Sequence, residues 1–401
     1  MTLDTEVVVV GGGPAGSTIA ADLSSAGHHV LLLDKASFPR HKACSDYVNP
    51  AAARLLDEMG VLGDALQQGA RWMDGMIVHS PSGHRFTADY AGAEPGRAAL
   101  GLSRRKLDTL LLERARSLGT TVIERAHVRD VIRNGHAVSG VEVTINGSPQ
   151  VIRAPLVIGA DGRHSVVRRK LDLESPLRWP RKTGIAAHYR GVSGLSQWGE
   201  MHIGHGVYAG FAMIEHDLTN ITIVVDSRSM AERPQPLEAF FAAALERLPD
   251  ARHKMTNATR EGGFRGVGSM GCGTRHVTGD GFLLVGDAAW FLDPFAGEGV
   301  YEAIRGARLA APVASAALWS RDVSASALRP YRRDRRRAFA AKRAVGWIVQ
   351  GFINTPAAMD YVTTRLAERE ELGLVLSGVL GNFQPAGRAL SPRFLARLLW
   401  P

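Results

Sequence analysis

The sequence predicts an α/β fold: a parallel sheet with an antiparallel sheet inserted into it, followed by a helical region. Three observations predict it. The apolar run Glu6–Val10 passes through Gly11-Gly-Gly-Pro-Ala-Gly16 into a helical segment. Between about 183 and 227, apolar and polar residues alternate in several runs. From residue 300 onward the pattern is mostly helical. An unbroken apolar strand belongs in a parallel sheet covered on both faces, whereas alternation marks strands with two unlike faces.

Taken in order, Glu6–Val10 is the first strand and Ser17–Ala26 its helix, stopped by Gly27. His29–Asp34 is the second strand. Met76–His79 and Arg85–Thr87 flank Ser80-Pro-Ser-Gly83, a hairpin signal. Arg105–Leu118 reads as a helix with Leu107, Leu110, Leu111 and Leu112 toward a core. Short strands follow near 121–129, 138–145 and 155–159. Gly184–Tyr189 and Asn220–Asp226 belong to the inserted sheet, and Phe282–Val285 returns to strand, turn and helix.

With 401 residues, 45% of them hydrophobic and 22% charged, the chain can fill a large core and has neither disordered nor fibrous composition. Its two cysteines, Cys44 and Cys272, cannot form a disulfide framework. No secretion signal precedes the first strand, and no apolar run reaches the roughly 20 residues of a spanning helix, so a cytoplasmic address is expected. The net charge of +9 is concentrated in Arg329–Arg343. That stretch reads as a solvated basic helix face, or as a contact for anionic membrane or an acidic partner. No zinc-finger or RNA-binding signature accompanies it, which excludes nucleic acid as the expected partner.

Gly11, Gly13 and Gly16 have the G-x-G-x-x-G spacing of a Rossmann-type βαβ unit, with Pro14 and Ala15 inside the turn. The first glycine allows the sharp turn, the second lets backbone approach a pyrophosphate, and the third permits close helix–strand packing. The helix N-terminus then faces the phosphates, and Asp34 can accept from ribose hydroxyls. Two distant strand–turn segments repeat the theme, at Asp161-Gly162 and Gly286-Asp287. A protein holding only NAD has no need of them. An extended FAD does, because its ribityl chain and ring system lie far from the first turn.

Together these segments resemble the FAD-dependent hydroxylase superfamily that includes para-hydroxybenzoate hydroxylase. Phe38–Cys44, Ser103–Asp108 and Asp293–Tyr301 resemble its geranylgeranyl reductase and flavin-dependent halogenase branch. The resemblance runs from the N-terminus to about residue 310. It implies that Asp287 binds ribityl hydroxyls and that Arg104 lies along the cofactor. It implies that backbone N–H groups of Gly297, Glu298 and Gly299, after Pro294, stabilise charge at the flavin edge. Lys35, Arg40, Cys44 and Val128 join the implied FAD contacts. Asp161-Gly162 is linked in relatives to NAD(P)H, and Arg163 and Arg168 either meet a nicotinamide phosphate or lie on the surface.

Departures from the family pattern narrow the chemistry. Trp72–Phe86 lacks the lysine expected of a halogenase, and Tyr208–Ile214 replaces its Trp-x-Trp-x-Ile-Pro motif. Lys42-Ala-Cys-Ser45 keeps the cysteine of the reductase motif but not its glycine. Cys44 is therefore a candidate proton donor or pocket wall, or else an inert packed thiol. Cys272 receives no role. Among fourteen histidines, His188 and His202 lie on strands of the inserted sheet. Each is a candidate acid–base group or a hydrogen-bonded strand residue, and His188 is the catalytic choice. Tyr208, Phe211 and Met213 are read as alternating along one strand face, either as substrate wall or as core. The sequence shows no catalytic triad, and no metal-ligand spacing.

The expected organisation is an FAD-binding domain from 1–70, 100–175 and 270–310, an antiparallel β-sheet substrate domain from 71–99 and 176–268, and a C-terminal helical region, 311–401. The expected function is an FAD-dependent monooxygenase or dehydrogenase for a small apolar, secondary-metabolite-like substrate. NAD(P)H or a partner flavin reductase would supply electrons. The alternative is a reductase of prenyl or quinone double bonds, with Trp347–Ile353 and the basic stretch making peripheral membrane contact. A flavin electron carrier is the third reading.

Overall fold

The computed structural model describes residues 2–227, 236–268 and 270–400. Its first sheet has six strands in the order Thr278–Gly279, Phe282–Leu284, Leu156–Gly159, Val7–Val10, Val30–Leu33 and Thr121–Ile123. All pairings are parallel except the first. Val7–Val10 is central and buried at every position, which explains its unbroken apolar run. Val7 and Val9 face a core shared with helices Pro14–Ser25, Arg104–Ser117 and Gly299–Trp319. Val8 and Val10 face a second core built with strands Ala126–Asn134, Ala137–Ile145 and Ser148–Arg153.

The inserted sheet has seven strands, in the order Thr259–Val267, Lys182–Arg190, Leu218–Asp226, Val207–Glu215, Trp198–Gly204, Gly75–His79 and Arg85–Asp89. The expected hairpin pairs Gly75–His79 with Arg85–Asp89. It joins the sheet through a parallel ladder to Trp198–Gly204. One sheet face packs on helices Leu237–Leu245 and Pro249–Lys254. The other meets helices Ala325–Ile353, Pro356–Glu368, Glu370–Leu380 and Pro392–Leu399.

Three expectations are corrected by the fold. Phe282–Leu284 does not run into a helix: it enters the short 3₁₀ turn Gly286–Ala288 and then strand Trp290–Phe291. The Arg168 guanidinium donates to Ala288 O (2.9 Å), drawing that carbonyl out of any helical ladder. The helical region does not begin as a separate unit at 311. Helix Gly299–Trp319 passes through that boundary, burying Ala307, Ala310 and Ala314 against the first sheet's core. Finally, Arg329–Arg343 is not wholly solvated. Arg329, Arg332, Arg333, Arg336 and Arg337 are exposed, whereas Arg335 and Lys342 turn inward.

Helix Ala325–Ile353 links the two sheets. Near its start Leu328 and Tyr331 enter the first core, and Tyr331 donates its hydroxyl to Leu284 O (2.9 Å). Near its end Val345 and Ile353 enter the core between the inserted sheet and the C-terminal helices. Tyr331→Phe removes one buried hydrogen bond while keeping the ring, so stability should fall by about 1 kcal/mol. Denaturant unfolding of the FAD-loaded protein checks it; an unchanged midpoint would mean the bond contributes nothing.

Candidate active site

The site begins at the glycine turn. Gly11 has φ +104°, and a Cβ there would stand 2.6 Å from Ala160 O. A Cβ at Gly16 would overlap the Gly11 carbonyl oxygen. Both positions therefore require glycine, and the helix Pro14–Ser25 starts hard against the strand ends. Asp34 Oδ2 accepts from the Gly12 N–H (2.7 Å) and its Oδ1 from the Ala36 N–H (2.8 Å), which fixes the carboxylate at the mouth of the turn.

Above this turn two guanidinium groups converge. Arg40 Nη2 and Arg104 Nη2 lie 3.7 and 4.0 Å from the point where a Gly13 side chain would begin. Asp108, fully buried, holds both: Arg104 Nε donates to Oδ1 (2.6 Å), Arg104 Nη2 to Oδ2 (3.0 Å), and Arg40 Nη1 stands 3.0 Å from Oδ2. This makes a pre-positioned cationic cradle over backbone N–H groups, the donor set a pyrophosphate needs. Asp108 was not singled out from sequence. Its signal was the i,i+4 spacing from Arg104 on a helix.

Two cavities meet at this cradle. One encloses about 1630 Å³, including its open mouth, and is lined by Asp34, Lys35, Arg40, Val128, Asp161 and Gly162, among others. The second, about 990 Å³, is lined by Pro14, Ala15, Cys44, Arg104, Gly286, Asp287, Pro294, Gly297 and Gly299, with Gly184, Ala186 and Thr222 from the inserted sheet. Both share Gly13, Lys42, Ala160, Gly162 and Arg163. The result is a long trough from the second strand to the sheet, matched in shape and donors to an extended FAD. Lys42, missed in the sequence reading, stands at the junction. Burial pushes its ammonium down, with Arg104 and Arg40 adding to this and Asp287 and Asp108 opposing it.

The loop around Cys44 is anchored by Asp46, a third residue not foreseen. Asp46 is buried and lies at φ 54°. Its Oδ1 accepts from the Arg104 N–H (2.9 Å), and its Oδ2 accepts from Asn220 Nδ2 (2.7 Å) and meets His188 Nε2 (2.7 Å). Asn220 Nδ2 also donates to Cys44 O (2.8 Å). Cys44 thus lines the trough, whereas His188 serves the anchor and is not among the lining residues. The structure places His188 in this anchor, hydrogen-bonded to Asp46, rather than on the trough wall.

Other expectations are also revised. Tyr208 and Phe211, three residues apart, lie on opposite faces of their strand, because side chains alternate with period two. The Tyr208 hydroxyl donates to Asp293 Oδ1 (2.8 Å), supporting the loop before Gly297. Phe211 packs on the far face with Ile185, Ile221 and Phe240, and by the same alternation Met213 follows Phe211 rather than Tyr208. None of the three lines the trough. Arg168 is buried and committed to Ala288 O, so it does not reach a nicotinamide phosphate, whereas Arg163 stays on the rim. Asp161 Oδ2 accepts from the Val166 N–H (2.6 Å) at the start of helix Val166–Lys170. The Gly297 N–H already donates to Pro294 O (2.9 Å), leaving the next N–H groups at the start of helix Gly299–Trp319 for an anion.

Glu298 points its carboxylate away from the trough, to Lys342 Nζ (2.6 Å). Beneath it, burial pushes Glu302 up to about 7, the Glu298 charge adding to this and Arg335 and Arg343 opposing it. Tyr47 lines the trough with its ring against Gly297, and its hydroxyl meets that of Tyr90 (2.6 Å). Burial pushes both phenols up, so this wall stays uncharged.

The comparisons decide the family. The chain matches the FAD binding domain family over residues 4–345. It belongs to that family. Among its relatives, 6-methylpretetramide 4-monooxygenase of Streptomyces rimosus is 28% identical, the match covering 80% of this chain and 77% of that one. Digeranylgeranylglycerophospholipid reductase 1 of Methanopyrus kandleri is 31% identical over 82% and 85%. Among solved structures, a triple mutant of the flavin-dependent brominase Bmp2 has the same fold, with TM-score 0.84 and 21% identity over 96% of this chain and 97% of that one. The protein is an FAD-dependent oxidoreductase.

Two predictions follow from the geometry. Asp108→Asn releases both guanidinium groups of the cradle, and FAD affinity should fall at least about tenfold, since breaking a buried ion pair typically costs 3–5 kcal/mol. Fluorescence titration of the stripped protein with FAD measures this. The second concerns pH. Between the ordinary carboxyl value of 4.5 and about 7, folded Glu302 retains a proton that the unfolded chain has released. Its contribution to stability is therefore present below 4.5 and lost as pH rises through about 7. Glu302→Gln should gain stability relative to the parent across that window, read as a widening melting-temperature difference from pH 5 to pH 8.

Proposed function

We propose that the protein is an FAD-dependent monooxygenase acting on a small apolar organic substrate held between the flavin end of the trough and the inserted sheet. The observation that carries this reading is the sheet-side wall of the trough. Gly184, Ala186 and Thr222 present small side chains there, with Val267, Met270 and Phe291 around them. Small side chains leave depth for a ring or chain, and the apolar surround favours a desolvated substrate.

Bound FAD supplies the hydride and oxygen chemistry; the residues of this chain place it and shield it. The Asp108-held cradle grips the pyrophosphate, and Asp287 is set for the ribityl hydroxyls. First-turn N–H groups of helix Gly299–Trp319 bear on charge at the flavin edge. The uncharged Tyr47–Tyr90 pair and the Cys44 loop close the trough against water. Electrons come from NAD(P)H directly or through a flavin reductase partner, with Arg163 as the cation on the rim.

A reductase of prenyl or quinone double bonds is the second reading, favoured by a separate observation. A chamber of about 750 Å³ lies among the C-terminal helices, lined by Val78, Phe86, Phe295, Val349, Phe352 and Leu376, among others. Its walls suit a hydrocarbon chain, and Phe295 belongs to the loop that also contributes Pro294 to the trough. The Trp347–Ile353 segment is divided: Gln350, on Lys182 Nζ (2.7 Å), and Ile353 are buried, whereas Ile348 and Gly351 are exposed and Trp347 stacks on the exposed Trp179. Membrane contact would therefore rest on few side chains, such as Ile348 and Trp179. No described helix is long and apolar enough to cross a membrane.

Stopped-flow mixing of the reduced, FAD-loaded protein with oxygen separates the readings. An absorbing transient before oxidised flavin returns is expected for a monooxygenase. Reduced flavin that resists oxygen but is reoxidised by a quinone or prenyl lipid would replace this reading with the reductase.

A further inference from the structure

On the face of the inserted sheet turned away from the trough, three buried polar side chains meet. His79 ends strand Gly75–His79, while Glu200 and His202 lie on the adjacent strand Trp198–Gly204, where the parallel register pairs His79 with His202. They are 6%, 4% and 2% exposed, respectively. The two imidazole rings stack with centroids 4.3 Å apart. Glu200 Oε2 lies 2.8 Å from His202 Nε2 and 3.7 Å from His79 Nε2. On the other side of the His79 ring, Nδ1 faces Asp250 Oδ2 of helix Pro249–Lys254 at 4.0 Å.

Hydrogen bonding does not satisfy this cluster. Neither ring nitrogen of His79 has a hydrogen-bond partner. Asp250 favours the tautomer with its proton on Nδ1, which aims the Nε2 lone pair at a carboxylate oxygen. Two lone pairs facing each other in a buried place repel unless a cation lies between them. Lys254 Nζ, 3.0 Å from Glu200 Oε1, balances only the outer oxygen.

We propose that His79, Glu200 and His202 bind a divalent transition-metal ion of the zinc type, with Asp250 as the outer partner that orients His79. Two imidazoles and a carboxylate are a donor set that zinc accepts, with water completing the tetrahedron. A carboxylate behind a ligating imidazole is the usual support for such a ligand. Ligation through Nε2 leaves the single proton of each neutral imidazole on Nδ1, so the metal takes the place of the His202–Glu200 hydrogen bond. The site faces away from the flavin and has a structural role. It fastens the hairpin of residues 75–89 to the sheet at their parallel junction, and helix Pro249–Lys254 to both.

The test uses the full-length, FAD-loaded protein after chelator treatment, titrated with Zn²⁺ alone by calorimetry. One ion per chain and a raised melting temperature are expected. His79→Ala and Glu200→Gln should abolish binding. Asp250→Asn, at a side chain more than half exposed and so not needed for folding, should weaken it by about 10–100-fold. Absence of stoichiometric binding to the parent, or undiminished affinity in both His79→Ala and Asp250→Asn, would overturn the proposal.

Discussion

The Asp46 carboxylate is the constraint on which the site's geometry depends. It ties the start of one helix to a pair of adjacent, register-matched strands of the inserted sheet. The helix is Arg104–Ser117, held through the Arg104 N–H, and the strands contribute His188 and Asn220, which face each other in the sheet. Being buried, the carboxylate must be fully partnered, and its donors would each be left unsatisfied without it. The same contacts fix the distance between the cofactor-binding half and the sheet. They also hold the Cys44 loop, through Asn220 and Thr222, as one wall of the trough.

Asp108 does for the phosphate end what Asp46 does for the flavin end. Arg40 comes from the loop after the second strand and Arg104 from a helix much later in the chain, so nothing local aligns them. A buried carboxylate between them sets both and offsets the repulsion of two adjacent cations. Each guanidinium still presents Nη2 toward Gly13. The site therefore binds an anion with groups already ordered, so little side-chain entropy is lost on binding.

What was legible in the sequence follows from range. The glycine turn, the strand alternation and the hairpin at 80–83 are local patterns, and the first sheet and much of the second could be read from them. Asp46, Asp108 and Lys42 act only through partners distant in the chain, apart from the Arg104–Asp108 spacing, so no periodicity marked them. His79 is in the same position: the residues it meets are brought together only by the parallel register. The error over Tyr208 and Phe211 was of another kind. They were placed on one strand face, but on a strand an odd spacing sends two residues to opposite faces, Tyr208 to the flavin loop and Phe211 to the outer core.

Helix Ala325–Ile353 shows why charge alone misled. Its arginines were read as a solvated face or as a contact for membrane or an acidic partner, yet a helix this long (29 residues) must bury a stripe wherever it crosses the body of the protein. The crossing occurs beneath the Asp293–Glu298 loop. There Lys342 meets Glu298, and Arg343 lies 4.6 Å over the Trp290 ring. Cations at these positions balance the acids that the motif brings under the flavin edge. Without them Glu298 and Glu302 would face each other in a low-dielectric space, and the loop that presents backbone N–H groups to the cofactor would carry uncompensated negative charge. The basic stretch is thus divided by depth. Its outer arginines remain a solvated face, while its inner cations belong to the architecture of the flavin site.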